Sequence, residues 1–244
     1  ETVRLMLHDY NGAQFPTDTH GLAWELGQVW YHGSIWSPVS FGHTGFTGTT
    51  IVVDPIEHQT IILLCNRVHP DRNWGSNNPS RRAVADDLGL ATPVKPRHGS
   101  SVWFSNRTDK KSATLDVPLA ATSGAELAFD YWYDTEPLYD FGYLQTSTDG
   151  TTFTQLPFHL EGGGWSWDTD GSVGGYGGRT WLRGSVALPD GTTTVRWVYK
   201  TDSSSEGRGI RVGDVTVTSG GRTVYSSLRP ADAAKAALDG WSVV

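Results

Sequence analysis

The chain has 244 residues and a formal net charge of −7, and hydrophobic residues make up 37% of it. Low charge with 29 glycines and 11 tryptophans is typical of a β-rich globular protein and argues against a disordered chain. The sequence has no basic cluster suited to a nucleic-acid backbone and no apolar run long enough to span a membrane. A single cysteine, Cys65, excludes an intrachain disulfide.

The first 92 residues predict an antiparallel sheet with a helix packed on it. Residues 21–27 form a short apolar strand candidate, and residues 49–54 and 59–66 predict a hairpin of two mostly buried strands. Asn78 and Pro79 then predict the start of a helix whose apolar face carries Ala83, Val84 and Leu88. Since the chain opens without a methionine or a turn signal, we expect it to begin within a domain.

The sequence pattern changes after a linker. Residues 93–100 hold two prolines and a glycine without periodicity, which is typical of a linker. Residues 101–244 then show strand-like runs separated by tight turns, a spacing that predicts a β-sandwich or jelly roll. Strands are predicted at 125–130, 143–147, 193–199 and 210–218, a long glycine-rich loop at 162–178, and a short helix at 231–238.

The most informative stretch is Phe41-Gly42-His43-Thr44-Gly45-Phe46-Thr47-Gly48-Thr49. Its glycines leave a backbone that another molecule can approach closely, beside a histidine and a hydroxyl. The alternative is a glycine-rich strand entry with no site. The residues alone leave both interpretations open.

The order of elements around that stretch resembles the C-terminal end of β-lactamase-family serine hydrolases. The family includes class C β-lactamases, DD-peptidases, D-aminopeptidases and related esterases, and its third motif is Lys-Thr-Gly or His-Thr-Gly. Here the motif is His43-Thr44-Gly45, followed by a hairpin, the run from Leu63 to Pro70 and a helix with Arg82. The histidine form is more typical of DD-peptidases and esterases than of β-lactamases.

The resemblance implies a role for each motif residue. His43 would supply a polar or cationic group beside the proton-transfer network, and Thr44 would donate its hydroxyl to the substrate. Gly45 would keep the approach clear, and the backbone N–H of Phe46 would be one of two oxyanion-hole donors. Asn66 stands where some members have an asparagine that reaches the substrate carboxylate; a strand-end cap is the alternative.

Two family motifs are missing from the chain. The nucleophile in the family is a Ser-x-x-Lys on a helix, and no lysine here follows a serine by three positions. No Tyr-x-Asn motif precedes His43 with the required spacing. We therefore expect that this chain alone lacks the nucleophile, and that its partner is the N-terminal part of the same hydrolase. No catalytic cofactor is implied.

The second half resembles the β-sandwich that follows the catalytic domain in immune-inhibitor-A-type metallopeptidases, a module related in shape to MAM and jelly-roll domains. The resemblance rests on the runs from Ala128 to Glu136 and from Tyr139 to Gly150. The chain has no His-Glu-x-x-His motif, so a metallopeptidase activity is not expected.

Acidic residues in this half suggest a structural calcium ion. Asp134, Glu136 and Asp140 lie around one predicted loop, and Asp214 on a neighbouring strand could approach them. Clustered oxygen ligands suit Ca²⁺, whereas a solvated acidic loop is the alternative.

Four aromatic residues, Trp165, Trp167, Tyr176 and Trp181, similarly predict either a sugar-stacking platform or anchors in the core and loops, which aromatic side chains more often are.

These observations give one fold class and two competing functions. We expect an α+β antiparallel-sheet segment, the C-terminal part of a β-lactamase-like fold at 1–92, followed by an all-β sandwich at 101–244. The first function is part of a secreted bacterial serine hydrolase that cleaves a small amide, ester or peptide substrate through an acyl-enzyme. The alternative is a binding module for carbohydrate or protein, or a structural unit that only shields the catalytic domain.

Overall fold

A computed structural model describes residues 1–73, 75–109 and 111–244. Its contacts divide the chain into two compact units, one of Glu1–Pro93 with Ser205–Gly207 and one of Val94–Ser204 with Arg208–Val244. The first is an antiparallel sheet with helices and the second is all β apart from one short helix, so the expected fold class is confirmed. No helix in the described part of the chain is long and apolar enough to cross a membrane.

The first unit is a small antiparallel sheet flanked by helices, in the strand order β1-β2-β3-β4. Its elements are α1 (Thr2–Met6), β1 (Glu25–Leu26), α2 (Val29–His32), a 3-10 helix (Gly33–Ile35), β2 (Phe41–Thr44), β3 (Thr50–Asp54), β4 (Gln59–Leu63) and α3 (Asn78–Ala91).

One face of this sheet forms the core of the unit. Val52 on β3 and Ile61 on β4 point to the same side and pack with Tyr31, Ile35 and Ala85 from the helices. Side chains alternate between faces along a strand, so the neighbours of Val52 and Ile61 turn to the opposite face. That opposite face is the one on which the His-Thr-Gly motif presents His43, because His43 pairs with Ile51 and Ile51 with Ile62.

Two predictions for this unit were wrong in detail. The strand predicted at 21–27 is reduced to Glu25–Leu26, because Ala23 and Gly27 adopt positive φ angles of 65° and 58° that interrupt an extended backbone.

The apolar face predicted for α3 was also wrong. Ala83 and Val84 are exposed and Leu88 is only partly buried, whereas the buried face carries Arg81, Ala85 and Gly89 at helical spacing. Gly89 is needed there because a Cβ would lie 2.6 Å from Cβ of Ser34 on the 3-10 helix.

The second unit consists of two antiparallel sheets. Its elements are β5 (Trp103–Phe104), β6 (Ser112–Pro118), β7 (Ala125–Asp134), β8 (Phe141–Ser147), β9 (Thr154–Gln155), β10 (His159–Gly162), β11 (Trp165–Asp168), β12 (Ser172–Gly174), β13 (Leu182–Leu188), β14 (Thr194–Lys200), β15 (Gly209–Ser219), β16 (Arg222–Ser226), α4 (Pro230–Ala233), β17 (Ala237–Asp239) and β18 (Ser242–Val243).

The two sheets pack face to face as a sandwich. One follows the order β11-β10-β13-β7-β15-β5-β18, with β16 also on β15, and the other follows β12-β8-β14-β6-β17, with β9 on β8. Phe129 of the first sheet meets Trp197 of the second edge to face, with ring centroids 5.3 Å apart. Gly184 makes room for this contact, since a Cβ there would lie 2.4 Å from the Phe129 ring.

Two predictions for this unit also need correction. The predicted loop at 162–178 contains two strands, because β11 folds back on β10 through Gly163 and Gly164 and β12 pairs with β8. The predicted helix at 231–238 is confined to α4, because Ala237–Asp239 pair with β6 instead. Pairing with an existing sheet outweighs the weak helical preference of the alanines.

Candidate active site

The His-Thr-Gly motif lies at the end of β2, where the strand edge is open. On one side His43 and Thr44 pair with Ile51 and Thr50 of β3. On the other side β1 pairs only with Phe41 and Gly42, so within the described residues no strand covers the edge beyond Gly42. An open edge of this kind can pair with an extended substrate.

The turn from Gly45 to Thr49 leaves the Phe46 amide without a hydrogen bond in the described residues. Gly45 donates its N–H to Thr49 O at 2.8 Å, and Gly48 donates to Gly45 O at 2.9 Å. In the described part of the chain, the N–H of Phe46 between them donates no hydrogen bond. The Phe46 side chain is also 68% exposed. The turn therefore presents a fixed backbone donor next to the motif.

Side chains from α3 and its N-cap hold this turn in place. The Arg81 guanidinium donates to Gly45 O at 2.8 Å and to Thr49 O at 3.2 Å, so one side chain ties both ends of the turn together. Asn77 donates to Gly48 O at 2.7 Å. Sequence reasoning missed both residues, because their partners are main-chain atoms about 30 positions earlier and neither sits in a recognisable motif.

His43 and Thr44 border an open groove of about 310 Å³. The groove is also lined by Gly45, Thr49, Thr50, Ile51, Ile62 and Leu64. His43 is exposed, and its Nδ1 lies 2.8 Å from Thr44 O. Three of the four predicted catalytic residues, His43, Thr44 and Gly45, thus line this groove, whereas Phe46 lines a neighbouring cavity with Arg67, Asn77 and Arg81.

Asn66 is not part of this lining. It is exposed just beyond β4, and its carbonyl accepts a 3.4 Å hydrogen bond from the N–H of His69. The neighbouring Cys65 is the residue that reaches toward the turn, with its sulfur 3.2 Å from Nδ2 of Asn77. The role predicted for Asn66 therefore stays a prediction with no geometry from this structure to support it.

A buried polar layer lies directly beneath Gly42. A Cβ at Gly42 would lie 2.9 Å from the Tyr31 hydroxyl and 3.1 Å from Nε2 of His32, so glycine is needed at the position just before the motif. His32 is fully buried with Nδ1 2.9 Å from the Ser40 hydroxyl, and burial lowers its pKa to about 3. Burial also raises the pKa of Tyr31 well above its usual value, with Glu25 adding to the effect. Both side chains are neutral at pH 7.

The four predicted calcium ligands do not form one group. Glu136 and Asp140 do come together, and Asp202 joins them within 4.8 Å. Asp134 instead forms a buried ion pair with Arg179, whose Nε lies 2.8 Å from Oδ2 of Asp134. Three close carboxylates fall short of the six to eight oxygens that Ca²⁺ prefers, so water or main-chain oxygens would have to complete the shell.

Asp214 belongs to a different cluster. It sits in a β-bulge of β15 with φ of 40°, where Arg183 reaches its Oδ2 at 3.0 Å. His98 lies 2.7 Å from Asp130 and 3.6 Å from Asp214 through Nδ1. Since Arg183 already balances these carboxylates, the cluster is an ion-pair network rather than a set of open metal ligands.

The geometry thus gives a small antiparallel unit with an open strand edge and a free amide, and a second unit that is a β-sandwich. Comparison with known families specifies both halves. Residues 73–244 match the family model "Immune inhibitor A-like, MAM domain", so the chain belongs to that family. Residues 2–86 match the "Beta-lactamase" family model, which relates the first unit to serine hydrolases of that kind.

Two curated relatives each match about a quarter of the chain. A protein named "Putative D-alanyl-D-alanine carboxypeptidase" from Escherichia coli (strain K12) is 38% identical over 66 residues, covering 25% of this chain and 15% of its own length. A protein of the same name from Salmonella newport (strain SL254) is 38% identical over 73 residues, covering 26% of this chain and 17% of its own. The matched segment thus spans about a sixth of the length of these relatives.

Proposed function

We propose that the first unit is the His-Thr-Gly side of an acyl-transfer site in a secreted serine hydrolase. A single observation carries the proposal: the Phe46 N–H is free and lies beside an open strand edge that bears His43 and Thr44. The relatives named as D-alanyl-D-alanine carboxypeptidases support an amide substrate, a peptide that ends in D-alanine.

Each residue has a task that follows from its position. Attack of a serine on the substrate carbonyl places negative charge on the carbonyl oxygen. The Phe46 N–H then donates a hydrogen bond to that oxygen, and the main chain does not have to move to do so. The turn stays fixed during the reaction because Arg81 and Asn77 hold its carbonyls. The Thr44 hydroxyl orients the substrate along the edge, and His43 supplies a polar group at the mouth of the groove.

The serine and its lysine must come from a part of the hydrolase that this chain does not contain. The exposed sheet face provides a surface for that part. Ile62 and Leu64 are 64% and 79% exposed, and they line the same groove as His43 and Thr44. Burying two such side chains is worth about 3–6 kcal/mol, so docking there would also stabilise the first unit.

Intact-mass analysis of the natural protein tests the origin of the nucleophile. We expect either a longer chain or a companion chain that carries Ser-x-x-Lys, and that segment should gain the mass of an acyl group when a D-alanyl-D-alanine peptide is supplied. Absence of an acylated species in the natural protein would contradict the proposal.

A pair of threonine variants tests the site itself. In the assembled enzyme Thr44→Val should slow the acylation by about 10- to 1,000-fold, because the substrate loses a hydrogen bond in the transition state. Thr47→Val is the matched control, since Thr47 is exposed on the same turn and its side chain lies outside the groove lining. Equal rates for the two variants would overturn the role of Thr44.

A further inference from the structure

A second open site lies in the sandwich, at the edge formed by the hairpin of β10 and β11. The groove holds about 560 Å³ and is lined by Arg97, Glu161, Trp165, Thr180, Trp181 and Arg183. Its volume is in the range of pockets that hold small organic molecules, and its lining mixes aromatic rings with a few polar groups. We call it the aromatic groove.

Trp165 is an exposed ring in a fixed position. Its side chain is 48% exposed, although large aromatic side chains usually bury. The far edge of the ring lies against Gly178, where a Cβ would come within 2.3 Å of the ring carbon Cζ3. Gly178 has φ of 72°, a conformation suited to glycine, so the main chain is shaped to receive this ring.

Trp181 is fixed by a hydrogen bond. Its indole N–H donates to the carbonyl of Lys95 at 2.8 Å, which satisfies the only polar atom of the side chain. Gly162 lies beside it, since a Cβ there would be 2.9 Å from the Trp181 carbonyl. The two other aromatic residues of this region do not line the groove: Trp167 packs against the sandwich core and Tyr176 lies near the guanidinium of Arg179.

The polar groups of the groove nearly cancel in charge. Arg183 is 30% exposed and lies within 3.2 Å of Asp130 and 3.0 Å of Asp214, which hold it in place. Arg97 is 45% exposed, with Nη1 3.8 Å from Asp130. Glu161 is exposed at the rim. A polyanion would meet Glu161 and a guanidinium already balanced by two carboxylates, so the groove favours an uncharged ligand.

We propose that the aromatic groove binds a neutral β-1,4-linked glycan of glucose or N-acetylglucosamine type. Such sugars present flat apolar C–H faces, because their hydroxyls are equatorial, and these faces stack on Trp165 and Trp181. Adjacent hydroxyls of the sugar donate to the Glu161 carboxylate and accept from the Arg97 guanidinium. Hydrogen bonds to such charged groups are stronger than those between neutral groups. This site is independent of the acyl-transfer site.

Binding to two neutral tetrasaccharides, cellotetraose and its N-acetylglucosamine counterpart, tests the proposal on the full chain. Tryptophan fluorescence and calorimetric titration should show saturable binding of at least one of them. Trp165→Ala should weaken that binding at least tenfold and Glu161→Gln severalfold. Trp30→Ala is the matched control, because Trp30 is a partly exposed tryptophan outside the groove, and it should change the affinity less than twofold.

Three results would overturn the inference. The first is no binding of either tetrasaccharide at millimolar concentration by a chain whose thermal unfolding is intact. The second is equal binding by wild type and Trp165→Ala, and the third is tighter binding of a polyanionic glycan such as heparin. None of these measurements involves hydrolysis, so their failure would leave the acyl-transfer proposal untouched.

Discussion

Mild acid should loosen the first unit through His32. This side chain is fully buried, and burial lowers its pKa from 6.5 to about 3. Below pH 6.5, His32 is therefore protonated in the unfolded chain but stays neutral in the folded unit. The stabilisation from neutral His32 is complete above pH 6.5 and is lost as the pH falls toward 3.

The size of the effect follows from the shift. Each unit of pKa corresponds to about 1.4 kcal/mol, so the full loss approaches about 5 kcal/mol, of which about 2 kcal/mol is lost already at pH 5. The Ser40 hydroxyl is the partner of Nδ1, and no charged group adds to the shift, because burial is its only cause. Most carboxylates titrate below pH 5. Asp140 in the sandwich is an exception, because burial raises its pKa to about 6, and its protonation stabilises the sandwich as the pH falls, opposite in sign to the effect of His32.

Hydrogen exchange on the intact chain measures this locally. Between pH 7.5 and 5, protection factors for peptides from 29–44 should fall by about 30-fold, the equivalent of 2 kcal/mol. Peptides from β14 in the sandwich provide the internal reference. His32→Gln should remove most of the pH dependence, and His58→Asn, at an exposed position with positive φ, should leave it unchanged. An equal fall for 29–44 and β14, or an unaltered dependence in His32→Gln, would refute the reasoning.

Two further predictions concern packing and calcium. Gly42→Ala should destabilise the first unit by about 1–3 kcal/mol in urea unfolding, because the new Cβ would lie 2.4 Å from the Ile51 carbonyl; unchanged stability would contradict the contact. With calcium held by Glu136, Asp140 and Asp202, a 100-fold excess over Kd should stabilise the sandwich by about 2.7 kcal/mol. EDTA should then lower its Tm and Glu136→Gln should abolish the difference, whereas one melting curve under all conditions excludes the ion.

Local sequence patterns located several elements whose causes are local. The β-branched runs at 49–54 and 59–66 became β3 and β4 within three residues of their predicted ends, and Pro79 marked the start of α3. Strand-like runs also located four of the sandwich strands, β7, β8, β14 and β15. The loop prediction for residues 162–178 was wrong because β11 and β12 are short. They form by pairing with β10 and β8, and the sequence of this region alone does not indicate that pairing.

The candidate site divides in the same way. The motif His43-Thr44-Gly45 could be found because it is contiguous, and its glycines imply close approach. Arg81 could not be found, since an arginine on a helix surface usually faces solvent and its partners here are carbonyls of a distant turn. Asp134 and Asp214 were grouped with Glu136 and Asp140 by sequence proximity or strand position, but each found a guanidinium partner elsewhere in the chain.

The link between α3 and the motif turn limits how the two halves of this protein can be exchanged between proteins. The sandwich family match begins at residue 73, before α3, whereas the compact unit that holds the motif continues to Pro93. A recombination at residue 73 would transfer Asn77 and Arg81 with the sandwich and leave the motif turn without the two side chains that bind the carbonyls of Gly45, Gly48 and Thr49. A junction after Pro93 keeps the motif, Asn77 and Arg81 in one segment. Recombination that preserves the site therefore requires a junction at that position.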